Sequence, residues 1–364
     1  MSESKFYLYV GTFTRPAPYL EETNGEGIYI YRYDPDEGNL VYQGETQGID
    51  SPSYISFDRE GKFLYANSEI WGWDEGLVKA YAVDQSDGSL TYLNMQPSRG
   101  SLTSYISVDK TNSHVLVTNY WTGSVVLFRR EEDGSLSPVI DKSQHEGTGP
   151  DPERQEGPHC HCVLMDPSNT FAYVADLGLD LLVRYRLDRE KGRLLREGET
   201  ALPPGSGPRH LIFHPSGNFV FVSGEMGSLV FVLKRDPESG GLELIESCST
   251  VPEGFEGISH CSDLHVTPDG RFLYVGNRGH DSIAAFVVDP ESGKLTPRGQ
   301  VKTQGRTPRN FVIDPAGKYL LAANQDSDNI NIFTINQETG ELSFTGKSFD
   351  APTPVCLKFL EIKE

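Results

Sequence analysis

GPRHLIFHPSGNFVFVSGE, residues Gly207–Glu225, joins an Arg-His pair, an alternating apolar strand, a Pro-Ser-Gly-Asn turn, a second alternating strand and a terminal glutamate. Alternation of apolar and polar residues around such a turn is the pattern of a β-hairpin. Working outward, the same pattern recurs at 53–65, 104–119, 161–176, 263–277 and 309–324, where HCVLMDPSNTFAYVAD, DLHVTPDGRFLYVGN and RNFVIDPAGKYLLAAN are examples. A third strand follows each hairpin (VKAYAVD, SVVLFRRE, LLVRYRLD, SLVFVLKRD, SIAAFVVD, NINIFTIN), and a polar turn leads to a fourth. The corresponding positions Ser68, Asn119, Asp176, Gly224, Asn277 and Asn324 lie about fifty residues apart. Four short antiparallel strands per period of this length describe a propeller blade, and no stretch keeps the 3.6-residue period that a helical solenoid needs.

The chain ends supply a seventh unit. KFYLYVGTFT near the N-terminus reads as the second strand of a hairpin, with GIYIYRYD and GNLVYQGE after it, and PTPVCLKFLEI at the C-terminus reads as the missing first strand. Pairing them closes a ring and removes its free edges. The expectation is an all-β seven-bladed propeller occupying residues 1–364 as one domain. Three stretches interrupt the repeat as long loops, Arg15–Gly25, Trp71–Gly76 and Asp141–Gly157, and long loops in compact folds often line or cover functional sites.

Composition restricts the partners. With 32 basic and 52 acidic residues the formal charge is −20, which opposes nucleic acid and anionic membrane surfaces. An anionic ligand therefore needs a local basic spot. The 37 glycines and 23 prolines suit many tight turns. Five cysteines, Cys160, Cys162, Cys248, Cys261 and Cys356, show no regular spacing and read as reduced thiols. MSESKFYLYVGTF has no basic segment leading into a long apolar run, and a cytoplasmic location is the expectation.

In a propeller, equivalent ends of the blades converge on the central channel. One series, at the start of each first strand, is Tyr54, Tyr105, His161, Arg209, Asp263 and Arg309. The other, just past each second strand, is Phe13, Glu69, Tyr120, Leu177, Glu225, Arg278 and Gln325. Charged residues of both signs gathered at a ring centre either satisfy one another or bind a ligand. His161, Arg209, His210, Glu225, Asp263, His265, Arg278 and Arg309, with Glu69 beside them, form the candidate cluster. Three arginines in an acidic chain favour a small anionic molecule, because guanidinium forks fit carboxylate and phosphate. Metal chemistry is weighed at His159-Cys160-His161-Cys162 and at His260, Cys261 and His265. Strict alternation would put His159 and His161 on one face and the cysteines on the other, and neither CxxC nor HExxH spacing occurs, so no metal or other cofactor is expected. GxSxG is absent too, which leaves a water-based mechanism.

YVGTFT, GPHCHCVLMDP with YVADLGLD, GPRHLIFHP, DLHVTPDGRFLYVGNRGHDSI and TPRNFVIDPAGKYLLAANQDSDNI together resemble the seven-bladed propeller lactonase family over essentially the whole chain. Its members include propeller-type 6-phosphogluconolactonases and carboxymuconate lactonising enzymes. The resemblance implies catalytic roles for His161, Arg209, Glu225 and Arg278, and hydrolysis of a sugar lactone such as 6-phospho-D-glucono-1,5-lactone. In that reading His161 is the base, the arginines hold anionic groups, and Glu225 orients a neighbour or protonates the ring oxygen. His210, His265, Arg309, Asp263 and Glu69 are the expected substrate contacts. A muconate-type cyclase and a non-catalytic scaffold are the alternatives.

Overall fold

The computed structural model describes residues 4–20 and 22–363. Among them, seven four-stranded antiparallel sheets account for the strands. Six blades run in chain order from the channel outward, as in the sheet Cys160–Met165, Phe171–Asp176, Leu181–Asp188 and Arg193–Ala201. The seventh is composite: Pro354–Ile362 is innermost, followed by Lys5–Thr12, Gly27–Asp34 and Asn39–Gln47. Its register runs from Lys5 opposite Ile362 to Gly11 opposite Cys356, which closes the ring as expected. No helix among the described residues is long and apolar enough to cross a membrane.

Burial follows position in the blade. Second strands such as Phe171–Asp176 and Phe219–Gly224 are buried at every residue, because both faces meet neighbouring blades. Outermost strands such as Arg193–Ala201 return to the in-out alternation of a half-solvated edge. Neighbouring blades are also tied by a repeated hydrogen bond. The hydroxyls of Tyr9, Tyr65, Tyr173 and Tyr274 donate to the carbonyls of Gly88, Gly134, Gly240 and Gly340 in the next blade. Those carbonyls belong to turns between third and fourth strands. At Gly134, with φ +86°, a Cβ would lie 2.1 Å from Phe63 Cδ1, so the turn requires glycine both for its backbone and for its contact.

One irregularity positions the site. The first-strand pairing shifts register between Thr103 and Tyr105, Cys160 and Cys162, Pro208 and Leu211, Cys261 and Leu264, and Pro308 and Asn310. Each shift is a bulge at the mouth of the channel, which re-aims side chains that strict alternation would send elsewhere. Just before the bulge, Leu102, Gly207 and Thr307 adopt left-handed backbone, with φ of 53°, 58° and 55°. Their carbonyls accept from the backbone N–H of Tyr120, Glu225 and Gln325. Those bonds bend the chain past each second strand over the channel.

Candidate active site

The bulges sort the first-strand residues into two rows. His161, Arg209 and Arg309 stand in the upper row with Ser104 and Ser262. Tyr54, Tyr105, Cys162, His210, Asp263 and Asn310 form the lower row. The sequence series mixed the two: Asp263 is the counterpart of His210, and the counterpart of Arg209 is Ser262. A further correction concerns the cysteines. The bulge at His161 breaks the alternation expected there, so Cys160 turns toward His145 while Cys162 belongs to the channel row.

The lower row fills the middle of the channel. Tyr54 and Tyr105 stack with centroids 3.9 Å apart, and the His210 ring meets both edge-on at 5.7 and 5.2 Å. His210 Nδ1 lies 2.8 Å from Asp263 Oδ1, and His265 Nε2 lies 3.1 Å from Asp263 Oδ2. Asn310 donates to the same carboxylate. Burial, then the Arg209 guanidinium, lowers His210 to a pKa of about 4, so a neutral imidazole donates from Nδ1 to Asp263. The buried His210 and Asp263, with the half-buried His265 beside them, thus make a polar floor and do not line the cavity above it. They differ in this from the expected substrate contacts.

That cavity, of about 620 Å³, opens at the mouth. His161, Glu225, Arg278, Arg309 and Glu69 line it, whereas Arg209 lies behind Glu225. Glu225 is the hub. Its Oε2 accepts from Arg209 Nε at 3.0 Å and from Arg278 Nη2 at 2.7 Å, and its Oε1 accepts from Arg154 Nη2 at 2.6 Å. Burial alone would raise its pKa. Arg278, Arg209 and Arg154 outweigh burial and hold the carboxyl well below its ordinary range. Glu225 is therefore an ionised orienter of guanidiniums and is unsuited to protonating a ring oxygen. Across the cavity Arg309 Nη2 donates to Glu69 Oε1 at 3.2 Å and its guanidinium lies over Phe13, 4.9 Å from the centroid.

His161 sits between these groups, its ring 5.2 Å from His210 and 5.5 Å from Tyr120. Burial, reinforced by Arg209, depresses its pKa well below the usual imidazole value, so it is neutral near pH 7. Its Nδ1 is buried without a protein partner, as are His260 Nδ1, Arg278 Nε and Gln325 Oε1 on the same cavity wall. Buried polar atoms without a protein partner are uncommon, and these four belong to residues of one cavity wall. The ion-paired groups, four guanidiniums and the two carboxylates Glu69 and Glu225, hold two positive charges in excess around Glu225, while Glu153, Glu156 and Asp326 also line the cavity.

Arg154 is the residue that sequence reasoning missed. It belongs to the long loop after Leu136–Gln144, and that loop is held from below. Gln155, fully buried, donates to the Leu177 carbonyl at 2.8 Å and thereby covers Leu177, which, like Phe13 of the same series, does not line the cavity. His145, Cys160 and Asp176 anchor the loop's base, their ligand-type atoms within 4.8 Å of one another. His145 uses both ring nitrogens, 2.6 Å from Asp176 Oδ2 and 2.7 Å from the Tyr185 hydroxyl. Asp176 Oδ1 accepts from the backbone of His159 and Gly178. The cluster is thus a satisfied hydrogen-bond knot. The other long loops bring Tyr19 and Trp71 to the cavity, and Trp121 joins them from the turn after His114–Asn119.

Comparison with known proteins agrees with this architecture. A family model described as lactonase, 7-bladed beta-propeller, matches residues 7–359. A 6-phosphogluconolactonase of Bacillus subtilis is 38% identical over 98% of this chain and 99% of its own. Another from Formosa agariphila is 30% identical over 84% of this chain and 86% of its own. Among solved structures, the periplasmic gluconolactonase PpgL of Pseudomonas aeruginosa superposes with a TM-score of 0.90 at 30% identity, covering 98% of this chain and 99% of that one.

Proposed function

Because the chain belongs to the seven-bladed β-propeller lactonase family, we propose that it hydrolyses 6-phospho-D-glucono-1,5-lactone to 6-phosphogluconate in the cavity above His210. The observation that carries this reading is a neutral His161, its Nδ1 without a hydrogen-bond partner, on the same cavity wall as the cluster of three guanidiniums on Glu225. In the proposed sequence the His161 imidazole takes a proton from a water as that water's oxygen bonds to the lactone carbonyl carbon. Charge develops on the carbonyl oxygen, which the Arg278 guanidinium on the same cavity wall stabilises. The carbon–ring-oxygen bond then breaks, and the proton on His161 passes to the departing alkoxide, giving the hydroxy acid. Glu225 fixes Arg209 and Arg278 before substrate arrives, so little reorganisation accompanies reaction. An anionic substrate also opposes the field that depresses His161, which raises the imidazole's pKa toward working pH and strengthens it as a base. Arg154 and Arg309, at the mouth and far wall, are the guanidiniums available to the phosphate.

A second reading, the unphosphorylated gluconolactone, is favoured by the carboxylates Glu153, Glu156 and Asp326 around the cavity and by the name of the Pseudomonas neighbour. Muconate-type cyclisation fits less well, since it calls for an acid where Glu225 is held ionised. The test is proton release from a panel of lactones, including both gluconolactones, against His161→Ala. General-base loss lowers turnover by about 10²–10⁴-fold. The substitution breaks no hydrogen bond of Nδ1 but removes the ring contacts with Tyr120 and His210, so circular dichroism accompanies the assay to show that the fold is retained. Turnover near the parent rate in His161→Ala would remove the role.

A further inference from the structure

We infer that the mouth of the cavity carries a stacking shelf for a second, neutral sugar ring, so that the protein accepts lactones of aldonic acids bearing a hexose. This inference rests on the lactonase reading and names a further class of substrate for the same site. The chain has three tryptophans, and all are on loops at this end: Trp71 and Trp73 after Phe63–Ser68, and Trp121 after His114–Asn119. Trp71 and Trp121 line the cavity yet stay 39% and 51% exposed. Their rings meet edge-to-face at 5.1 Å, and Tyr19, from the Arg15–Gly25 insertion, meets Trp71 at 5.9 Å. From Trp121 the ring contacts continue through His159 at 5.9 Å, Tyr120 at 4.6 Å and His161 at 5.5 Å. An unbroken aromatic path therefore joins the exposed shelf to the reacting centre.

Three separate loops converge to build this surface, and none of its rings is needed to fill a core. Large aromatics left exposed together mark a binding surface. The chemistry of the surroundings selects the occupant. A pyranose has apolar C–H faces and a girdle of hydroxyl donors. The shelf offers flat rings together with the carboxylates Glu69, Glu153, Glu156 and Asp326 as acceptors. An acyl tail would call for aliphatic walls, and Leu102 and Ile258 are the aliphatic residues among the lining. A second anion would face those carboxylates. A volume of about 620 Å³ falls within the range of about 300–1,000 Å³ for pockets that enclose drug-sized ligands, which exceeds a single lactone ring.

The test titrates the full-length protein with gluconate and with gluconate carrying a neutral hexose on O4, following tryptophan fluorescence and, in parallel, calorimetric heat. The expected result is at least tenfold tighter binding of the hexosyl compound. In Trp71→Ala/Trp121→Ala the ratio of the two affinities falls to about one, and Trp71→Phe/Trp121→Phe recovers most of the gain. Equal affinities for the two compounds would overturn the shelf, as would a gain that survives the double alanine variant or tighter binding of an octanoyl-substituted gluconate instead. Hexosyl-dependent binding without hydrolysis of any lactone would uphold the shelf and remove the lactonase reading. Hydrolysis with no hexosyl preference would do the reverse.

Discussion

Replacing Glu225 by Gln is the most informative single perturbation, because one carboxylate orders three guanidiniums. Gln keeps the shape and one oxygen acceptor, and replaces the charge and the other acceptor by an NH2 donor. Taking one partner from a buried ion pair costs about 3–5 kcal/mol. Two of the three pairs, to Arg209 and Arg278, are buried. The third, to Arg154, is partly in solvent with its side chain 37% exposed, and screening reduces its share. One hydrogen bond survives in the amide, so the lower end, about 3 kcal/mol, applies. A chain of this length loses roughly 2 °C of Tm per kcal/mol, which places the shift at about 6 °C. Three guanidiniums then face one another with no carboxylate between them, and a small anion stabilises the variant by mass action. Scanning calorimetry at low ionic strength should show the lowered Tm, and inorganic phosphate should restore most of it in Glu225→Gln while moving the parent less. The rate should fall on the order of a hundredfold as Arg278 loses its aim. A Tm within 1 °C of the parent, unresponsive to phosphate and with kcat unchanged, would refute the hub.

Stability should rise with pH between about 4 and 6.5. His210 in the folded protein has its pKa lowered from 6.5 to about 4 by burial and Arg209, so in that window the unfolded chain binds a proton that the folded chain refuses. The slope from one such histidine approaches 1.4 kcal/mol per pH unit. His114, His260 and His280 are shifted the same way. Urea midpoints measured from pH 4.5 to 7 should climb, and His210→Gln should flatten the climb by about one proton's worth. Arg154→Met removes the loop's cation and leaves the two buried pairs of Glu225 in place. KM for the phosphorylated lactone should rise about tenfold with a smaller change in kcat, and an unchanged KM would show that the loop arginine does not meet the phosphate. Gly134→Ala forces a Cβ against Phe63 at a positive φ and should cost about 1–3 kcal/mol of stability, read by urea denaturation, with activity unaltered.

The fold was legible because each blade repeats its own instructions. Period-two apolar alternation and Pro-, Gly- or Asn-bearing turns occur at every hairpin, and the two incomplete ends complement each other. The site was legible only in part. His161, Arg209, Glu225 and Arg278 stand at repeat positions, so spacing alone gathers them. Asp263 and His265 were drawn into the same set because a bulge inserts one residue, and alternation has no means of registering it. Arg154 was invisible for another reason. It lies outside the repeat, and only the knot of His145, Asp176 and Gln155 beneath its loop aims it at Glu225. Trp121 likewise sits in a short turn that nothing in the repeat distinguishes.

The innermost strand of the composite blade, Pro354–Ile362, comes after every other strand of the ring in chain order. Until it emerges, Lys5–Thr12 has an unpaired edge and the ring is an open arc, a shape exposed to strand exchange and aggregation. The middle blades that carry His161, Arg209, Glu225 and Arg278 can assemble while the ribosome is still working. The Arg309–Glu69 pair, 240 residues apart in sequence, spans the two flanks of the arc and becomes stable only as it closes. A nascent chain should therefore hold a half-built pocket, with its three-guanidinium hub formed and its far wall missing. Deleting Pro354–Ile362 would leave it in that state, so closure of the ring and completion of the pocket depend on the same strand.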